Sequence, residues 1–151
     1  MSDVSIVPVD ERDSGWENHR PRFRVYLHGS GASSTAGWTA TYDITGADVL
    51  QVVDWAQAQA ADSRTYAVAL VYDDAAREET CPGYGRGLVW LLGMDGNDHD
   101  PENAFVVAAQ QRMLKRRGAP LVLPGSDKMP PDVSSVSPEL ISRLDTAQPP
   151  E

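Results

Sequence analysis

The order in which hydrophobic periodicities follow one another constrains this chain more than any other feature. Phe23, Val25 and Leu27 alternate with Arg24, Tyr26 and His28, and Trp38, Ala40, Tyr42 and Ile44 alternate with Thr39, Thr41 and Asp43. A period of two belongs to half-buried strands. Residues 29–37 between them are rich in Gly and Ser, so the pair predicts an antiparallel hairpin with a flexible tip. The period then changes. Val49, Val52, Val53, Ala56 and Ala60 fall on one stripe at helical spacing and predict an amphipathic helix over 46–61. Thr45-Gly46-Ala47-Asp48 in front of it reads as a capping box. Residues 66–72 and 87–93 are apolar on both faces and predict two interior strands, joined by an acidic loop over 73–86. A second helix is expected from Asp100 as N-cap and Pro101 as first helical residue to Gly118. Lys115, Arg116 and Arg117 there complement the negative end of the helix dipole.

The resulting order, ββα–ββα, implies an α+β fold. Its simplest form is a two-layer sandwich, with both helices on one face of a four-stranded, mostly antiparallel or mixed sheet. Residues 1–21 read as a loosely ordered arm that Trp16 attaches to the body, and 22–118 as the single α+β domain. Residues 119–151 read as a separable Pro/Ser-rich tail. Within the tail, 137–144 predicts a short helix that presents Leu140, Ile141 and Leu144. So short a helix needs a surface to pack on.

Composition narrows the function classes. With 13 basic against 22 acidic residues the net charge is −9, which repels phosphate backbones and argues against nucleic-acid binding. The single cysteine, Cys81, excludes an internal disulfide framework and suits a reducing compartment. The apolar runs are too short to cross a bilayer, and the first residues lack a signal peptide's basic and apolar regions. A cytoplasmic location without membrane association is the expectation. Eleven of the 13 basic residues are Arg, a bias typical of GC-rich bacterial genomes.

Three segments carry candidate chemistry. Tyr26-Leu27-His28-Gly29-Ser30-Gly31 resembles, over about a dozen residues, the strand and oxyanion-hole loop of α/β-hydrolases. That resemblance implies backbone amides that stabilise a developing negative charge. The family's G-x-S-x-G nucleophile elbow has no counterpart here, and the other histidines are His19 and His99. Residues 95–100 gather carboxylates of the kind calcium prefers. An EF-hand loop starting at Asp95 would need Gly where Asp100 stands and Glu where Val106 stands, so no metal is expected. Cys81 has Arg86 nearby but no neighbouring histidine to activate it. No cofactor is expected either.

The remaining candidate is a surface. If both helices cover one face of the sheet, Arg24, Tyr26, His28, Thr39, Thr41 and Asp43 share the open face. Tyr and Arg are enriched in binding hot spots. Together with Leu140, Ile141 and Leu144 these residues predict a small, non-enzymatic bacterial interaction module. It would bind a protein partner or itself through the open sheet face, the tail helix, or both. The alternative is a small hydrolase or ligand-binding protein built on the His28-Gly29-Ser30-Gly31 loop.

Overall fold

A computed structural model describes residues 4–29, 31 and 33–133. Its elements follow the expected order with one addition. They are β1 (Phe23–Gly29), β2 (Trp38–Ile44), α1 (Val49–Ala60), β3 (Arg64–Asp73), α2 (Ala75–Thr80), β4 (Arg86–Leu92) and α3 (Ala104–Gly118). The sheet is four-stranded and antiparallel throughout, in the order β2-β1-β3-β4. The fold is α+β.

The addition is α2, which lies in the segment read from sequence as a loop. Asp74 caps it by accepting a hydrogen bond from the Arg77 amide at 3.0 Å. Glu78 then accepts from the amides of Gly83 and Gly85, each at 2.8 Å, and so closes the return to β4. Six residues carry too little hydrophobic period to be read as a helix. The other two helices start later than their sequence signals suggest. Gly46 takes a positive φ of 80° in the turn after β2, and the cap falls on Asp48 instead of Thr45. Asp48 accepts from the Gln51 amide at 2.9 Å, and the Gln51 side chain accepts from the Asp48 amide at 3.0 Å, a reciprocal box one turn further on. For α3 the cap is Asn103, whose Oδ1 accepts from Phe105 and Val106. Asp100 and Pro101 belong to the preceding turn, where the Asn103 amide donates to the Asp100 carbonyl.

Placement of the helices corrects the expectation that both lie on one face. Phe23, Val25 and Leu27 of β1 and Tyr66 and Val68 of β3 form one face, and Val52, Val53, Ala56 and Ala60 of α1 pack on it. Ala67 points the opposite way, as alternation along a strand requires. There it packs with Met94 and with Val106 and Met113 of α3. One helix therefore covers each face. The physical reason is visible in β3 itself: a central strand that is apolar on both sides needs cover on both sides.

β4 corrects a second expectation. It is an edge strand, hydrogen-bonded to β3 alone among the described residues, and most of its residues are exposed. A register irregularity at Val68/Ala69 leaves Leu91 without a direct partner between Trp90 and Leu92.

The two ends differ in how they meet the domain. Trp16 is 73% exposed and does not anchor the arm, which is solvent-facing through residues 4–20 and contains one 3-10 turn, Glu11–Asp13. The first part of the C-terminal segment is tied to α1. Gln57 donates to the Leu121 carbonyl at 2.6 Å and accepts from the Leu121 amide at 3.1 Å, and the Met129 amide donates to Asp54 at 2.9 Å. Chains ending after residue 118 are accordingly expected to be less stable in urea than chains ending after 133, by about 1–2 kcal/mol for three partly exposed hydrogen bonds. Equal midpoints and slopes would show that these bonds add nothing. The helix expected over 137–144, with Leu140, Ile141 and Leu144, lies outside the described residues.

Candidate functional site

Antiparallel register places the candidate residues in rows across the face opposite α1. One row runs Asp43, Arg24, Ala69, Trp90; the next runs Thr41, Tyr26, Ala67; the third runs Thr39, His28, Thr65. α3 closes over the row of Ala67 and Tyr26, and the segment after β4 closes over the row of His28. The row of Arg24 stays open.

His28 is fully buried, and both ring nitrogens are occupied. Its Nε2 accepts from the Gly96 amide at 3.1 Å, which places the proton on Nδ1. Nδ1 lies 3.2 Å from Thr39 Oγ1 and donates to it. The same hydroxyl oxygen accepts from Asn97 Nδ2 at 2.6 Å. Asn97 Oδ1 accepts from the Gly37 amide at 2.8 Å, and Thr35 Oγ1 donates to the Gly96 carbonyl at 2.9 Å. The Gly-rich loop after β1 and the acidic loop after β4 are thus latched together around one imidazole. Gly96 is required by this approach, because a Cβ there would stand 2.4 Å from the Thr35 carbonyl oxygen and 2.9 Å from the imidazole ring. Burial lowers the pKa of His28, against a weaker opposing pull from Asp95. A buried imidazole with both nitrogens bonded is a structural group and not an accessible base, so His28 leaves the set of surface residues. Ser30 lies outside the described residues. Among the described residues no group of three His, Cys, Asp or Glu side chains is arranged to hold a metal ion.

The open row is held by ion pairs. Arg24 grips Asp43 through two nitrogens, at 2.7 and 3.0 Å, and Arg22 reaches the same carboxylate. Burial pushes the Asp43 carboxyl up, but the two guanidiniums outweigh it and hold its pKa below the ordinary value. Asp43 in turn raises the Arg24 pKa. Asp73 and Arg86 pair at 2.7 Å two residues further along β3 and β4 from the neighbouring row. Pairs this exposed add little stability, so they act mainly to fix side-chain positions.

Aromatic rings continue from the latch toward the edge. Tyr26 stacks on His28 with centroids 6.1 Å apart and meets Trp90 of β4 at 5.1 Å. Beyond Trp90 the surface is apolar and exposed, with Leu91 at 43% and Phe105 at the start of α3 at 78%, while Val89, paired with Leu70, is exposed on the opposite face of the strand. Trp90, Leu91, Gly93, Phe105, Ala109 and Arg112 line a groove between β4 and α3. Arg24 and Asp43 therefore share one accessible region with this edge, Tyr26 is half-buried beneath α3 with Thr41 exposed at the β2 end of its row, and His28 and the Thr39 hydroxyl belong to the latch. Sequence reasoning missed Val89, Trp90, Leu91 and Phe105. The apolar run over 87–93 was the available signal, but it reads equally as a buried strand. Set against known proteins, the chain matches no family model, no curated protein and no solved structure.

Proposed function

We propose that this chain is a protein-interaction module that makes its contact through the free edge of β4 and the adjoining open row of the sheet. The observation that carries the reading is the exposed apolar edge, with Trp90 and Leu91 beside Phe105 on the α3 side and Val89 exposed on the other. An edge strand presents unpaired amides and carbonyls, and proteins usually blunt such edges with Lys, Pro or inward-pointing charge. After Arg86 at its start β4 carries none of these, and only the bulge at Leu91 interrupts the edge. Strand addition would supply main-chain affinity, while the Trp90 and Arg24 side chains would supply specificity.

The partner is a protein, either a different chain or a second copy. The net charge of −9 disfavours nucleic acid, and no helix among the described residues is long and apolar enough to cross a membrane. The lone Cys81 supports a cytoplasmic, reducing setting. The hydrolase alternative needs His28 as an accessible base, and its burial between Thr39 and Gly96 leaves that alternative without support.

Leu91→Lys tests the proposal, because it places a charge on the exposed edge without entering the core. The variant is expected to keep the far-ultraviolet circular dichroism and the melting temperature of the parent. It should weaken association, with itself or with a partner retained from host extract, by at least about tenfold. Unchanged association by a folded Leu91→Lys chain would overturn the assignment of this edge.

A further inference from the structure

Resting on the reading of β4 as the contact edge, we infer that its occupant is the N-terminal arm of a second copy of this chain. Residues 4–9 add alongside β4 as a fifth strand, and two copies exchange arms reciprocally. The arm has the composition of a strand, and its aliphatic residues from Ile6 on face solvent. Val4, Ile6, Val7 and Val9 are β-branched, and Ile6 is 92% exposed in the described structure. Aliphatic surface left in water this way is a standing penalty that docking removes. Pro8 fits the same placement. It lacks an amide donor and is tolerated in a sheet only at an edge, which is where an added strand would lie.

Charge agrees with the pairing. The apolar stretch of the arm runs into Asp10, Glu11 and Asp13, against a single Arg12 that pairs with Asp10. The groove beside β4 carries Arg112 and Arg116 against one carboxylate, Asp98. Neither arginine is ion-paired to a carboxylate among the described residues. Within one chain the arm is exposed while the β4 edge is open. A two-fold exchange uses both surfaces twice and leaves neither β4 edge free.

Sedimentation velocity on the full chain over a concentration series is expected to show a monomer–dimer equilibrium. Ile6→Arg with Val7→Arg should abolish the dimer by spoiling the donor arm, and Leu91→Lys should abolish it by spoiling the acceptor edge. Mixing the two variants should restore a heterodimer, since one still holds an intact arm and the other an intact edge. A parent chain that stays monomeric, a mixture that stays monomeric, or an arm variant that still dimerises would overturn the inference. Dimerisation by the arm variant but not by Leu91→Lys would leave β4 as the contact edge with a different occupant. Dimerisation by both would remove the edge reading as well.

Discussion

Replacing His28 with alanine is expected to destabilise the fold by about 3 kcal/mol, from a core cavity and the loss of two buried hydrogen bonds. The Gly96 amide loses its acceptor, Thr39 loses a donor, and the two loops are no longer joined through β1. The same residue should make stability depend on pH. Burial lowers its pKa from the ordinary 6.5, so the unfolded chain takes up a proton that the folded chain refuses. Stability is therefore full above the unfolded value and falls as pH drops below it toward the folded pKa. The slope approaches about 1.4 kcal/mol per pH unit while one proton separates the states. Asp43, whose pKa is held below 3.8, responds only at lower pH, so mild acid isolates the histidine. Urea midpoints taken between about pH 7 and pH 5 should fall for the parent and stay level for His28→Ala. Parallel curves would mean that His28 is not the titrating group, and a small loss at neutral pH would mean that the latch is not structural.

Val53→Asp should be at least as severe. Val53 is 6% exposed and sits with Val52, Ala56 and Ala60 against Phe23, Val25 and Val68. A carboxylate there has no partner, and the expected loss is about 4 kcal/mol, a large part of the net stability of a small domain. Val49→Asp is the matched control. It was read on the same stripe, yet it is 43% exposed at the first position of α1, where a negative charge suits the helix dipole. Its effect should stay within about 0.5 kcal/mol. If both substitutions behave alike, the face that α1 buries has been misassigned.

Periodicity made most of the elements legible, because alternation in β1 and β2 and the stripe in α1 are direct consequences of which side chains face the core. What it could not show was which strand lies at the edge. The apolar runs of β3 and β4 look alike in sequence, yet β3 sits between two strands under two helices and β4 has one neighbour. The side of the sheet that α3 takes was half-visible. Ala67 and Ala69, alternating with Tyr66 and Val68, already required cover on the second face, but nothing in the spacing of α3 says which face it will choose. The candidate site divided for the same reason. Arg24, Tyr26, Thr41 and Asp43 lie on one face, as alternation along paired strands requires, but α3 covers the Tyr26 end of it. His28 shares their phase but lies under Gly96, 68 residues away in sequence, a contact that no local pattern encodes.

Hydrogen exchange followed by mass spectrometry, on the full chain at rising concentration, tests the central claim most directly. Free edge amides exchange readily and slow down when a strand is added to them. Protection in peptides covering 86–92 is expected to rise as the chain associates, together with that of residues 4–9, while peptides from β2 at the opposite edge stay unchanged. Association that leaves 86–92 exchanging at its dilute rate, or that protects β2 instead, would contradict the assignment of β4 as the contact edge.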